Sequence, residues 1–215
     1  MNLKPSELDI PRRYRLLIGS IIPRPIAFVS TLSPRGATNL APYSFFTGVG
    51  SNPMTLLFCP SNKADGSEKD TLRNCKPVAE GGVGEFVVNL AVESYRREVS
   101  AAAEPMNHGE SEFDLTALDT APSLVVRPPR VARSPVAYEC STREVIRLAE
   151  GEPGGANIVL GEVVSIYVDD ELVTDRLDLD ADKLRAIGRM GGISYVRTSD
   201  RFEMPRGRAA LESDS

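Results

Sequence analysis

Histidine and cysteine, the residues of most metal sites and many hydrolytic sites, are scarce in this 215-residue sequence. The one histidine, His108, lies in the polar segment EPMNHGESE without other metal-type ligands at a useful spacing. The cysteines Cys59, Cys75 and Cys140 are widely spaced and form no C-x-x-C pair. We therefore expect no metal site and no histidine-based acid–base catalysis, and we interpret Cys59 and Cys140 as small buried hydrophobic residues.

Long hydrophobic runs and an excess of positive charge are also missing. No run approaches the ~18 apolar residues that a membrane span needs, and the opening MNLKPSELDIPRRYR lacks the apolar centre of a signal peptide. The net charge of −5 offers no broad attraction to nucleic acid or to an anionic membrane. We expect a cytoplasmic protein that binds neither.

Short apolar segments bounded by Pro, Gly or Asn dominate the chain and predict β-strands. They cover residues 26–31, 54–59, 85–90, 136–141 and 157–168, with Gly161 as a bulge or a close backbone approach. Helical spacing occurs twice, in VESYRREVSAAA and in ADKLRAIGRM, where Leu184, Ile187 and Met190 share a face. No G-x-G-x-x-G follows a strand, which disfavours a Rossmann domain.

The pattern predicts a mainly β barrel or sandwich with a few short helices. We expect a single domain over residues 1–205, and a disordered tail over residues 206–215.

Polar and apolar groups alternate in the first third of the chain, in two segments joined by the turn SPRG. Ser30, Thr31, Asn39 and Ser44 are expected to converge beside the apolar groups of Ala41, Tyr43 and Phe46. A flat heteroaromatic ring with hydrogen-bonding edges needs this mixture. The alternative that the residue types leave open is a hairpin whose hydroxyls cap its own turns.

Two later segments carry cationic side chains. In SNKADGSEKDTLRN, Lys63, Lys69, Arg73 and the hydroxyl of Thr71 fit a phosphate cradle at the start of a helix, with Asp70 as its N-cap. The alternative is a solvated loop, because three acidic residues balance its three basic ones. In AIGRMGGISYVRT, glycines place Arg189 and Tyr195 on a close-approaching turn, where they either bind a ligand or pack on the surface.

Taken together, SIIPRPIAFVST, NLAPYSFF, KDTLRN, EFVVNL and GRMGGISY resemble the flavin reductase-like family of FMN-binding split β-barrel proteins. The nearest branch includes nitrilotriacetate monooxygenase component B and flavoredoxin-like proteins, and the resemblance runs from about Tyr14 to about Pro205. It implies a Greek-key split β-barrel and a homodimer with FMN, or alternatively FAD, near the subunit interface.

The resemblance also implies a role for each matching position. The isoalloxazine and ribityl contacts would come from Ser30, Thr31, Asn39, Ala41, Pro42, Tyr43, Ser44 and Phe45. The phosphate would lie among Lys63, Lys69, Asp70 and Thr71. Arg189 and Tyr195 would close over the flavin, and Arg24 would support the site without touching the ligand.

The function implied is an NAD(P)H:flavin oxidoreductase that passes hydride to flavin and supplies reduced flavin to a partner monooxygenase. One alternative is an FMN electron carrier reduced by a protein partner. Another is a non-enzymatic split-barrel protein with a different ligand such as haem, which the lone His108 disfavours. The chain carries Ile193-Ser194 where relatives often carry His-Asn, so its use of the nicotinamide donor stays open. The choice between NADH and NADPH stays open as well, because no 2′-phosphate pocket can be read from the sequence.

Overall fold

A computed structural model describes residues 1–211, in which strands outnumber helices. The strands are β1 Arg24–Pro25, β2 Ala27–Leu32, β3 Thr38–Tyr43, β4 Phe46–Ser51, β5 Met54–Phe58, β6 Glu85–Leu90, β7 Thr120–Ala121, β8 Arg130–Val131, β9 Val136–Arg147, β10 Asn157–Val168, β11 Ile187–Arg189 and β12 Tyr195–Arg197. The α-helices are α1 Ile10–Ser20, α2 Asp70–Cys75, α3 Arg96–Ala101, α4 Glu112–Thr116 and α5 Ala181–Leu184. Short 3-10 helices cover Pro5–Glu7, Val78–Glu80, Glu93–Tyr95, Asp170–Leu172 and Gly207–Leu211. The predicted mainly β fold with a few short helices is confirmed.

Seven strands form one antiparallel sheet in the order β3-β2-β6-β9-β10-β5-β4. Strands β3 and β5 stand five spacings apart in this order, roughly 24 Å in a flat sheet. The ring centroids of Tyr43 in β3 and Phe58 in β5 are nevertheless only 5.2 Å apart. The sheet therefore curls until strands near its two ends meet, and Tyr43, Phe58 and Phe86 pack inside the resulting barrel.

A second core covers the outside of β2 and β3. Phe28 and Leu40 pack there against a segment that carries Val92, Tyr95, Val99 and Ala102, all of them buried. The predicted helical spacing in VESYRREVSAAA is confirmed for Tyr95 and Val99, whereas Val92 is extended, and the helix begins after it as a 3-10 turn before continuing as α3. The end of α3 is thereby fixed beside β3.

The prediction of a helix running through Met190 is wrong, because α5 ends at Leu184. Arg185 adopts a left-handed conformation with φ +47°, and the Ile187 amide then donates to the Ala91 carbonyl at 3.0 Å. The chain continues as β11 in a small sheet of order β1-β11-β12, where Arg189 pairs with Arg24. Pairing with a distant strand overrides the local helical spacing.

Gly161 lies at a register shift between β9 and β10, as predicted. A Cβ at this position would stand 2.3 Å from Cζ of Phe86, so only glycine admits that ring into the barrel. Cys140 is buried as predicted, whereas Cys59 is only partly buried.

In the tail, residues Gly207–Leu211 form a largely exposed 3-10 helix, and residues 212–215 lie outside the described part of the chain. Within residues 1–211, no helix is long and apolar enough to cross a membrane.

Candidate functional site

A cleft of about 530 Å³ lies beside the edge strand β3. Its walls come from β3, from the loop before α2, from the first turn of α2 and from the segment after α3. The lining residues are Asn39, Ala41, Pro42, Tyr43, Asn62, Lys63, Ala64, Lys69, Asp70, Thr71, Ala102, Ala103, Glu104, Pro105, Met106 and Glu112. Eight of the predicted site residues therefore meet in one cleft.

Strand β3 forms one wall of the cleft, with a polar side chain at Asn39 and apolar side chains at Ala41 and Pro42. Asn39 Nδ2 donates to Thr71 Oγ1 at 2.9 Å, which ties β3 to α2. Ala41 and Pro42 are half-buried, and Pro42 is tolerated because β3 is an edge strand. Burial raises the pKa of the Tyr43 hydroxyl, so this group stays neutral. The wall thus offers flat apolar surface with fixed hydrogen-bonding groups at one side.

The lysine loop (residues 61–69) brings two ammonium groups to one end of the cleft. Burial, and then the positive charge of Lys63, lower the pKa of Lys69. Lys69 Nζ lies 5.9 Å from the Tyr43 ring centroid. Within residues 1–211, neither lysine has a carboxylate oxygen within 4.0 Å. The Asp65 carboxylate interacts with Lys63 only over a longer distance. Two neighbouring cations that are not held in an ion pair favour binding of an anion such as a phosphate.

Asp70 is the first residue of α2, and the N-cap position belongs to Lys69, so the prediction of Asp70 as the N-cap is wrong. Its Oδ1 lies 2.8 Å from His108 Nδ1 and 3.5 Å from Arg73 Nη1. The Asp70 carboxylate is therefore paired with groups other than the two lysines. His108 connects the segment after α3 to the start of α2.

Ser30 and Thr31 are fully buried and do not line the cleft. Ser30 Oγ donates to the Pro129 carbonyl at 2.6 Å and Thr31 Oγ1 accepts from Asn74 Nδ2 at 3.0 Å. In this structure the two hydroxyls bind protein groups, and their contact with a cofactor stays a prediction.

Ser44 and Phe45, at the turn from β3 to β4, also lie outside the lining of the cleft. Ser44 Oγ accepts from Arg24 Nε at 3.2 Å, and Phe45 packs edge-on against Tyr14 of α1. Arg24 is buried, lies outside the lining of the cleft and donates to three backbone carbonyls, and its supporting role stays a prediction.

Arg189 and Tyr195 are cross-strand partners in the small sheet, and the guanidinium carbon lies 4.6 Å from the tyrosine ring centroid. The structure does not bring them into the cleft with Asn39 and Lys69. Their proposed closure over a ligand stays a prediction.

Glu112 and the segment 102–106 line the cleft but were missed in the sequence. Glu112 Oε2 accepts the Leu40 amide of the edge strand at 2.8 Å. Burial raises the pKa of this carboxyl group. Glu112 is identified as a site residue by its hydrogen bond with Leu40, which lies 72 residues away in the sequence. The local segment SEFDL contains no pattern that predicts this contact.

Residues 18–188 match the domain family described as flavin reductase like. Nitrilotriacetate monooxygenase component B from Bacillus cereus is 34% identical with a TM-score of 0.87, over 95% of this chain and 98% of that one. The 2-nitrobenzoate 2-nitroreductase of Pseudomonas fluorescens is 30% identical with a TM-score of 0.85, over 97% of both chains. A Shewanella frigidimarina protein with a split barrel domain, assigned as a flavin reductase, is 21% identical with a TM-score of 0.80, over 96% of this chain and all 100% of that one. The barrel described above is therefore a split β-barrel, as predicted.

Proposed function

Since this chain belongs to the flavin reductase-like family, we propose that it binds FMN in the cleft beside β3 and transfers hydride from NADH or NADPH to the flavin. The observation that carries the proposal is the pair Lys63 and Lys69 at one end of a cleft with a flat apolar strand wall. FAD is the alternative flavin, and the two are separated by the titration described below.

The cleft fits FMN part by part. Ala41 and Pro42 offer apolar surface to a ring, whereas Asn39, Thr71 and Glu112 offer polar groups suited to a ribityl chain. Lys63 and Lys69 supply two positive charges for a phosphate dianion. A bound phosphate would provide an ion-pair partner for these two ammonium groups.

When bound, the flavin supplies the redox chemistry, as a hydride acceptor. The chain's own residues hold and orient the ligand, which is the larger part of what such a reaction requires; positioning alone can contribute about 7–11 kcal/mol. Because Asn39 is tied to Thr71, and Leu40 to Glu112, the strand wall is held from both sides before a ligand arrives. The segment 102–106 forms part of the lining of the cleft and adds contact surface for a ligand.

An anaerobic spectrum tests this function. The purified protein is titrated with FMN and with FAD, and NADH or NADPH is then added without oxygen. We expect FMN to bind, and we expect NADH or NADPH to bleach its visible absorption band rapidly. A bound flavin that neither donor bleaches would favour an electron carrier, and absence of flavin binding would contradict the proposal.

Similarity to two named enzymes suggests where the electrons go next. Likeness to a monooxygenase component B supports delivery of reduced flavin to a partner monooxygenase. Likeness to a 2-nitrobenzoate 2-nitroreductase supports a second candidate, reduction of an aromatic nitro group at the same cleft. NADH or NADPH consumption with free FMN as acceptor, compared with 2-nitrobenzoate as acceptor, separates the two.

We also propose that the protein forms a homodimer through α1. Of this helix only Ile18 is buried, whereas Tyr14, Leu17 and Ile21 just after it are exposed. Exposed apolar side chains grouped on one element are typical of a surface that another chain covers.

The double substitution Leu17→Asp with Ile21→Asp is expected to convert the dimer to a monomer, because two charges from each subunit would be buried in the contact. Light scattering after size exclusion gives the mass. Leu124→Asp, at a side chain that is 87% exposed, is the matched control and should leave the mass unchanged. A wild-type mass of about 23 kDa would contradict the dimer.

A further inference from the structure

The hairpin formed by β9 and β10 contacts the lysine loop at both ends of the loop. Arg147, the last residue of β9, and Asn157, the first of β10, are cross-strand partners. Neither belongs to the lining of the cleft. The Asn157 side chain contacts Asn62, which directly precedes Lys63. The Arg147 side chain contacts Glu68, which directly precedes Lys69.

Asn157 fixes the start of the loop. It is 1% exposed, and its Nδ2 donates to the Pro60 carbonyl and to Asn62 Oδ1, both at 2.9 Å. Asn62 Nδ2 in turn donates to the hairpin carbonyls of Glu152 at 3.1 Å and Ala149 at 3.3 Å. The residue before Lys63 is therefore held through its side chain on two sides.

Arg147 fixes the end of the loop. Its Nε and Nη2 donate to Glu68 Oε1 at 3.1 Å and 2.9 Å, and Lys76 Nζ donates to Glu68 Oε2 at 2.9 Å. Burial opposes ionisation of Glu68, yet these hydrogen bonds lower the pKa of its carboxyl group. Glu68 is thus held as a carboxylate directly before Lys69.

The middle of the loop rests on the tip of the hairpin, backbone against backbone. Gly66 has φ +82°, and a Cβ there would stand 2.0 Å from the Gly151 carbonyl oxygen. Only glycine permits both this conformation and this contact. The hairpin therefore supports the lysine loop near its start, at its middle and near its end.

We propose that Arg147 and Asn157 are positioning residues that set the two lysines at the spacing a flavin phosphate requires. The inference rests on the proposed function. Lysine side chains are long and flexible, so a phosphate must already order them when it binds, at a cost in conformational entropy. A mobile loop backbone would add to that cost. A preorganised loop lowers that cost, and the benefit reaches only the phosphate end of the ligand.

Riboflavin, which lacks the phosphate, therefore provides the discriminating probe. The Kd values of FMN and riboflavin are measured by flavin fluorescence for the full-length wild type and for the variants Arg147→Gln, Arg147→Lys and Asn157→Ala. We expect wild type to prefer FMN, and Arg147→Gln and Asn157→Ala to raise the Kd of FMN by about tenfold. The Kd of riboflavin should stay within about twofold, and Arg147→Lys should recover part of the loss.

Two control variants carry comparable losses away from the loop. Arg143→Gln removes an arginine–glutamate pair with Glu162 on the same hairpin, and Ser134→Ala removes a buried hydroxyl. Both should leave the ratio of the two Kd values unchanged.

Several outcomes would overturn the inference. Equal weakening of FMN and riboflavin would show a general loss of structure, and an unchanged FMN Kd in Arg147→Gln would show that the loop needs no such support. The Arg147 side chain is partly buried, at 18% exposure, and Arg147→Lys keeps a positive charge beside Glu68, so Arg147→Gln and Arg147→Lys together keep the test decisive if Asn157→Ala does not fold. Failure of wild type to bind either flavin would instead refute the proposed function, and that result is visible without any variant.

Discussion

Replacing Lys63 and Lys69 together by glutamine is expected to raise the Kd for FMN by about a hundredfold or more. Each lysine can donate a charge-assisted hydrogen bond to a phosphate, which contributes about 1.5–3 kcal/mol. Loss of both therefore removes about 3–6 kcal/mol, and 1.4 kcal/mol corresponds to tenfold in Kd. Isothermal titration or fluorescence quenching measures the change.

The same variant should bind riboflavin with nearly the wild-type Kd, because the ring and ribityl contacts remain. It should also be at least as stable as wild type. The two ammonium groups repel each other, which is part of why the pKa of Lys69 is lowered, and glutamine removes that repulsion.

Lys4→Gln with Lys183→Gln is the matched control, since it removes two positive charges that do not line the cleft. If this control weakens FMN as much as the cleft variant does, general electrostatics and not a local phosphate site would explain the affinity. Unchanged FMN affinity in the cleft variant would refute the assignment of the lysines.

Residues with a strong local signal were predicted well from the sequence. The strands β6 and β10 begin and end where the sequence predicts them, because β-branched runs there are bounded by Gly, Asn or charged residues. The bulge at Gly161 was equally visible, because glycine inside a strand is unusual unless another group approaches closely. Barrel closure, in contrast, depends on contacts such as Tyr43 with Phe58, which no local pattern shows.

The residues of the candidate site likewise divide into those with a local sequence signal and those that depend on distant contacts. The lysine loop and β3 were found because each concentrates unusual residues within a short segment, and the structure brings them to one cleft. Glu112 was missed because its partner is the distant Leu40 amide. Arg189 and Tyr195 were selected with the cleft residues, yet they lie in the small sheet, since the chain leaves the helical conformation after Leu184.

Arg24→Met is expected to lower the free energy of unfolding by about 3 kcal/mol or more. Arg24 is 3% exposed, and its guanidinium donates to the carbonyls of Ile18 at 2.6 Å, Ile21 at 2.7 Å and Met190 at 2.9 Å. Methionine fills much of the same volume but removes the donor of the buried Ile18 carbonyl, which costs about 1–3 kcal/mol, together with two part-buried hydrogen bonds from a charged group, worth about 1.5–3 kcal/mol each. Urea unfolding followed by circular dichroism measures the loss.

Arg24→Lys tests whether geometry or charge matters. Burial already lowers the pKa of Arg24, so a cation at this position is tolerated only because its donors are used. A lysine ammonium is compact and cannot direct donors to the end of α1, to Ser44 and to the segment after β11 at once. We therefore expect Arg24→Lys to lose most of the stability that Arg24→Met loses, although its charge is unchanged.

Arg35→Met provides the control, because Arg35 is exposed in the turn between β2 and β3 and its loss should change stability by at most about 0.5 kcal/mol. An Arg24→Lys variant as stable as wild type would show that charge alone suffices. Arg24 joins the end of α1 to Ser44 and to the segment after β11, and α1 carries the proposed dimer contact. If the geometry of the guanidinium is what matters, its loss should also shift α1. Arg24→Lys should then also weaken the dimer, whereas Arg35→Met should not.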